Sequence, residues 1–416
     1  MSSFGGSLSL TMSGKRGGQR PLRVVANLTR ANYAQDTTTA GNEMRQVRAP
    51  HYVAQATREI WLVYATWWLD LGAGGREVAN GNGVTLGAAL EYNGTTVVAP
   101  NASAFAMPDD TTFLAGPFKA SAFGLSAFPA GAAIFSRTVM TVTVGQKIPR
   151  AGQYLSEAPA SRLNSAAGAN QLSGTGLLTG QNNQPGPAPI MVIGRTLSPA
   201  VSLMEIGDSI GEGQNDSNQF PSSNNAGGIY QRGAWNANKT AIAQIGRHGG
   251  QLSRLSNGTP AEGSRRRALY KYATHLIFHF GANDLFDPTT YASWKALLVA
   301  EIAIARAAGV KHITVAGISP RTSSTDSWAT TANQSPQASW DPTKSATANA
   351  DLAARGPGND AFFDVNVDFG DQGAAAKWVV TGAANFATPE GTHPQTAVVT
   401  PAGVRFTTLI GTFQKY

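Results

Sequence analysis

The sequence predicts two parts of different class: an all-β, sandwich-like part over 22–198, and an α/β part over 199–416 whose parallel sheet carries helices on both faces. Three observations point there. From about residue 22 to residue 195 the chain offers short apolar runs and turn dipeptides, with no long stretch of helical period. After Pro199 strand-like apolar runs alternate with helical ones, which implies right-handed crossovers and a parallel sheet. The composition agrees: 416 residues exceed the usual size of one domain, and 46 glycines with only 14% charged residues suit strands and tight turns better than long solvated helices.

The elements follow in order. Residues 1–21 form an N-terminal tail in which the basic cluster follows the modestly apolar part, the reverse of a signal peptide. The most apolar window, 60–71, is too short to span a bilayer and contains Asp70, so it reads as core strand and the protein as soluble. Asn93-Gly94 sits between two apolar runs, and both central residues of a type I′ turn need positive φ, so a hairpin is expected. A long strand over 132–144 should present Ile134, Thr138, Met140, Val142 and Val144 on one face. Residues 151–189, rich in Gly, Ala, Ser, Asn and Gln, read as a long loop or linker, with a course across the second part left open, followed by one more strand over 190–193. Ser198-Pro199 marks the boundary. Beyond it strands are expected at 201–206, 241–245, 275–280, 313–316 and 362–365. A helix at 291–308 has Asp287 or Thr289 as cap and Gly309 as stop.

Charge and residue type exclude several classes. The formal charge of +7 reflects scarce acids as much as abundant bases, so an anionic partner is allowed but nucleic acid is not expected. Arg265-Arg266-Arg267 reads as a solvated helix start or loop. With no cysteine, disulfides, thiolate catalysis and Cys-ligated metal are excluded. His248, His275, His279 and His312 are expected to pack or hydrogen-bond, no cluster has metal-ligand spacing, and neither metal nor cofactor is expected. Trp235, Trp294, Trp328 and Trp340 read mainly as core, with a sugar-stacking ring open among them.

Ligands of open α/β sheets bind beyond the carboxyl ends of the strands, and the unusual residues fall there. The first strand ends in Gly207-Asp208-Ser209, a serine at the turn that is also readable as a helix cap. The second runs into Gly246-Arg247-His248-Gly249-Gly250, where backbone N–H groups can approach an anion, though turn formation explains the glycines equally well. The third ends in Gly281-Ala282-Asn283-Asp284, which supplies a side-chain amide or a helix cap. Near the C-terminus comes Glu390-Gly391-Thr392-His393-Pro394, an acid three residues before a histidine. Acyl transfer needs a serine, a base to take its proton, a carboxylate to orient the base and fixed donors for the oxyanion; all four are present.

In the order and character of these four blocks the chain, from about residue 201 to its end, resembles the SGNH hydrolase family, also called GDSL esterases. The resemblance implies a flavodoxin-like sheet, Ser209 as nucleophile, His393 as base, and an oxyanion hole from the Ser209 N–H, the Gly249 N–H and the Asn283 side chain, with Gly246 or Gly250 in place of Gly249 if the loop is offset. Gly207, Asp208, Gly281 and Asp284 would support them. The family's usual acid is aspartate; here Glu390 stands in its place, with Asp364 and Asp368 as weaker candidates or a Ser-His dyad as the alternative. The expectation is an esterase releasing a short acyl group, acetyl above all, from a carbohydrate, since no long apolar lid separates the blocks and 211–225 is polar. The alternatives are an inactive, hydrolase-like carbohydrate-binding or virion-surface protein, and an acyltransferase or thioesterase on the same triad.

Overall fold

The computed structural model describes residues 20–151, 161–166, 170–182, 186–216, 227–256, 263–286, 289–371 and 374–416. Residues 1–19, Asp287 and most of the polar run after Asp216 lie outside this set, and with them the tail, one expected cap and much of the 211–225 segment.

The parallel sheet has six strands in the spatial order Thr29–Arg30, Ala241–Gln244, Ser202–Gly207, His275–His279, His312–Ala316 and Ala361–Phe363, every neighbouring pair parallel. Without the first strand the order by sequence is 2-1-3-4-5, that of a doubly wound sheet. The chain reverses its winding at Ser202–Gly207, so a crevice opens between the ends of that strand and His275–His279. Residues alternate between two cores. Met204, Ile206, Leu276, Phe278, Ile313 and Val315 face Trp294, Leu298 and Ile302 of the helix Tyr291–Ala307. Leu203, Ile277 and Ala316 face Ile229 and Tyr230 of the helix Gly228–Asn236 and Val399 and Phe406 of the helix Thr396–Gly411. The helix Tyr291–Ala307 is capped by Thr290, whose side chain accepts the Ser293 N–H, and not by Thr289.

The sixth strand departs from expectation, because Thr29–Arg30 comes from the segment before residue 199. Two residues carry no periodicity to read.

Over 23–196 two antiparallel sheets face each other. One holds Arg23–Val24, Met191–Thr196, Thr57–Ala65 and Thr112–Lys119; the other is built on Met44–Tyr52, Val84–Tyr92 and Ala133–Thr141. Ile60, Leu62 and Tyr64 point between the sheets onto Leu86, Leu90, Ile134 and Met140. Val63 and Ala65, the alternate residues, point the other way and share a core with Met204, Ile206 and Ala243 of the parallel sheet. Both faces of the 60–65 portion of Thr57–Ala65 are therefore covered, which is why that portion is a continuous apolar run. The Asn93-Gly94 turn joins Val84–Tyr92 to Thr95–Val98 with φ of 47° and 76°, as a type I′ hairpin requires.

Three expectations are corrected. Val144 lies beyond the strand Ala133–Thr141 and is exposed, because pairing with Met44–Tyr52 ends at Thr141. The described part of 151–189 is loop in 170–182 and 186–189 but also contributes a strand and packs on the β part: Ser161–Ser165 pairs with Met44–Tyr52, and Arg137 binds the carbonyls of Gln171 and Gly176 while Glu91 accepts the Gly176 N–H at 3.0 Å. Buried Glu91, held by Arg48 and Arg137, anchors that segment, a contact that its low-complexity composition conceals. Arg265-Arg266-Arg267 begins a helical turn but is not solvated. Arg266 is buried on Glu77 at 2.9 Å, Arg265 reaches Glu77 and Asp110, and Arg267 grips buried Glu301 at 2.6 Å. The acids that match this run are far away in sequence, so a local reading cannot find them.

Candidate active site

At the end of the strand Ser202–Gly207 the chain turns sharply into a single helical turn, Ser209–Glu212. Asp208 is its N-cap, Oδ1 accepting the Ile210 N–H at 2.9 Å. Gly207 is required by close approach, since a Cβ would fall 2.5 Å from the His279 carbonyl. Ser209 Oγ thereby meets His393 Nε2 at 2.7 Å, and His393 Nδ1 meets Glu390 Oε1 at 2.7 Å. Burial pushes the Glu390 carboxyl up, but the bonds from His393 outweigh it and hold the group below the ordinary glutamate value. Asp364 and Asp368 lie elsewhere: the first accepts the Asn366 N–H and the second pairs with Arg405.

The loop carrying the acid and the histidine is fixed by its glycine. Gly391 has φ of 80°, and a Cβ there would stand 1.7 Å from the Thr322 carbonyl, so no other residue fits. Its N–H donates to Thr388 Oγ1 at 2.9 Å, and its carbonyl accepts the indole N–H of buried Trp378 at 3.0 Å.

Across the crevice, the Arg247 N–H donates to the Gly207 carbonyl at 2.9 Å and ties the glycine loop to the serine turn. The Gly250 N–H is used within that loop, on the Arg247 carbonyl at 2.7 Å, whereas the N–H of Gly249, at φ of 72°, has no partner among the described residues. Gly246 closes over the carboxyl of Glu205, where a Cβ would lie 2.8 Å from Oε1. Asn283 Nδ2 donates to the Gly250 carbonyl at 3.1 Å while its oxygen faces Arg321 Nη1 at 3.4 Å, so the amide's orientation is set and its second N–H has no partner among the described residues. Gly281, at φ of 124°, sits where a Cβ would meet Ile318. Buried Asp284 accepts the Leu252 and Ser253 N–H groups, each at 3.1 Å, and so holds the helix that follows the glycine loop. Burial pushes Asp284 up to about 6 and Asp208 up to about 7.

Residues to which the sequence assigned no part in the site also converge here. The rings of His248 and His393 stack with centroids 5.5 Å apart, and burial holds His248 below the ordinary histidine value. Arg321 fixes Asn283 and the Ala282 carbonyl, its guanidinium lying 4.2 Å from the Phe286 ring centroid. Glu205, fully buried beneath the serine turn, is kept well above the usual carboxylate range by burial. Glu212 accepts the His248 N–H at 2.6 Å. The other histidines pack: His279 Nδ1 bonds the Tyr230 hydroxyl at 2.7 Å, and His275 and His312 lie against Phe413. Trp294 and Trp340 are buried, Trp328 bonds Thr322, and Trp235 packs edge-on against Tyr52. Among the described residues no group of three or more His, Asp or Glu could hold a metal ion, and no helix is long and apolar enough to cross a membrane.

No family model matches the chain, and no curated protein matches it in sequence. Solved structures do match. A GDSL-like lipase from Bacteroides thetaiotaomicron is 12% identical, covers 50% of this chain and 84% of its own, and has a TM-score of 0.32. A family two carbohydrate esterase from Cellvibrio japonicus is 10% identical over 94% of this chain and 96% of its own, with a TM-score of 0.35. A peptidoglycan O-acetylesterase is 12% identical over 95% and 79%, with a TM-score of 0.36. The chain is thus similar to solved GDSL-type lipolytic proteins and esterases, over half of its length for the lipase and nearly all of it for the two esterases.

Proposed function

We propose that the protein is a serine esterase of the SGNH type that works through an acyl-enzyme on Ser209. The observation that carries this reading is the continuous chain Ser209 Oγ, His393 Nε2, His393 Nδ1, Glu390 Oε1, with both links 2.7 Å, at the switch point of a parallel sheet. His393 takes the Ser209 proton as Oγ attacks the ester carbonyl and returns it to the leaving alcohol; a water activated by the same nitrogen then releases the acid. Glu390 holds the imidazole in the tautomer that offers Nε2 to the serine. The N–H groups of Ser209 and Gly249 and the second N–H of Asn283 form the oxyanion hole, with Asp208, Asp284, Gly207 and Gly281 shaping the turns that aim them. The half of the chain before residue 199 is an accessory part that walls the site.

The substrate in this reading is a short acyl ester, acetyl above all, on a carbohydrate. The supporting feature is the polar character of the cavity beside the triad, lined by Arg, Glu, Gln, Asn and His side chains that match sugar hydroxyls and would not bury a fatty chain. The test is covalent labelling by an organophosphonate together with turnover of 4-nitrophenyl acetate, in wild type and Ser209→Ala. Labelling confined to Ser209 and turnover lost in the variant are expected; labelling that persists in Ser209→Ala overturns the assignment.

A further inference from the structure

We infer that Leu71, at the tip of a hairpin from the N-terminal half of the chain, is a specificity-determining residue whose side chain takes the apolar face of the leaving alcohol, the C–H face of a sugar ring beside the ester. This rests on the esterase reading above and names the part of the substrate that the accessory half contacts. The hairpin pairs Trp67–Asp70 with Arg76–Ala79. Trp67 and Leu69 are buried in the core shared with Met204 and Ile206, whereas Leu71, the next residue in that alternation, is 46% exposed. A single exposed leucine is ordinary on a protein surface. What sets this one apart is its neighbour. A Cβ on Gly249 would stand 3.0 Å from Leu71 Cδ1 and 3.7 Å from the Leu71 carbonyl oxygen, so the leucine lies against the glycine whose N–H is an oxyanion donor in this reading.

The tip is fixed from several directions. Asp70 Oδ1 accepts the Gly72 N–H at 3.0 Å and shapes the turn. The Gln251 N–H donates to the Gly74 carbonyl at 3.1 Å, Arg247 Nε to the Leu69 carbonyl at 3.2 Å and Arg266 Nη2 to the Gly75 carbonyl at 3.0 Å. Gly75 packs so closely on the glycine loop that a Cβ there would lie 3.0 Å from the Gly250 Cα. Leu71 is therefore held in place before substrate arrives, and little ordering is left for binding to pay.

Proton transfer decides which part of the ester meets it. His393 hands its proton to the leaving oxygen, so the alcohol lies on the side of the histidine ring. That ring stacks on His248, the residue before Gly249. In the sheet the glycine loop follows the strand on one side of Ser202–Gly207, and Asn283 follows the strand on the other. The alcohol thus extends over the glycine loop towards Leu71, and the acyl group towards Asn283 and Arg321. An apolar side chain here favours an alcohol with apolar surface to cover; a pyranose supplies it in its C–H bonds and methanol hardly at all.

The experiment measures kcat/KM of the full chain on glucose penta-acetate and on methyl acetate, esters of one acyl group, in wild type, Leu71→Ser and Leu71→Ala. Active sites are counted by organophosphonate labelling, so misfolded protein does not enter the rates. The sugar-to-methyl ratio should fall about five- to tenfold in both variants, the scale of withdrawing part of a leucine's burial, with the loss carried by KM for the sugar ester. The ratio between 4-nitrophenyl butyrate and 4-nitrophenyl acetate, which reports on the acyl side, should not move. An unchanged sugar-to-methyl ratio, a shift in the butyrate-to-acetate ratio, or no turnover of glucose penta-acetate by a wild type that hydrolyses 4-nitrophenyl acetate overturns the inference and leaves the esterase reading standing. Failure of wild type to hydrolyse any of these esters overturns the esterase reading, and this inference with it.

Discussion

A single oxygen of Glu390 receives both the backbone N–H and the Nδ1 of His393, each at 2.7 Å. The acid is thus tied to its histidine within one tight loop. A glutamate suits this place because its extra methylene lets Oε1 reach back to the backbone as well as across to the ring.

Glu390→Gln keeps an oxygen for both bonds but loses the charge that stabilises the imidazolium. It should lower kcat by roughly a hundredfold less than His393→Ala, the spread found between orienting acid and base in serine triads. Single-turnover assays of the two variants decide it; an unimpaired Glu390→Gln would mean that His393 works without its acid.

Asn283→Ala should cost about 10²–10³ in kcat with little change in KM, as loss of one oxyanion donor does. Arg321 holds the amide and the Ala282 carbonyl and also reaches Gln337 Oε1 at 3.4 Å, so Arg321→Ala should lose less, and if it works through the amide the double variant should be no worse than Asn283→Ala alone. Additive losses would give Arg321 a role of its own.

Stability should depend on pH through Asp208. Burial raises its pKa from 3.8 to about 7, against the pull of the capping bond from Ile210. The folded protein therefore holds this proton more tightly than the unfolded chain. That stabilisation is complete below about pH 4 and is lost as pH rises through 7, at most about 4 kcal/mol for a shift of about three units. Asp208→Asn cannot ionise and still caps the turn. Urea unfolding at pH 4 and pH 9 should show its stability relative to wild type rising with pH; equal pH dependence in both proteins would refute the shift.

The pair Arg266–Glu77 joins the two halves of the chain in a fully buried contact. Arg266→Ala leaves a buried carboxylate without its main partner and should cost about 3–5 kcal/mol, while replacing both residues with leucine should cost less. Denaturant melts of the three proteins test this.

The serine turn, the Asn283 block and the Glu390–His393 loop were legible in the sequence because each is a local signal: a strand end followed by a few residues whose chemistry is apparent side by side. So was the alternation of strand and helix after Pro199. The rest of the site depends on residues that meet only in three dimensions. Glu212 and Arg321 look like ordinary surface charges until the fold places them on His248 and Asn283, and Arg30 gives no sign from its own neighbourhood that its strand extends the parallel sheet. Arg265 to Arg267 failed for the same reason, since a run of like charge looks solvated unless its distant acids are known.

The strand pairings also dictate an order of events during synthesis. Arg23–Val24 must wait for Met191–Thr196, and Thr29–Arg30 for Ala241–Gln244, so these early strands are completed only after about 170 to 215 further residues have followed. Until then Val63, Ala65 and Trp67, which finally share a core with Met204 and Ile206, remain uncovered. Contacts so distant in sequence are slow to close, and the nascent intermediate exposes an apolar sheet face to any neighbour. Chaperones that shield such surfaces should therefore raise the yield of folded protein most when they act before residue 244 has emerged.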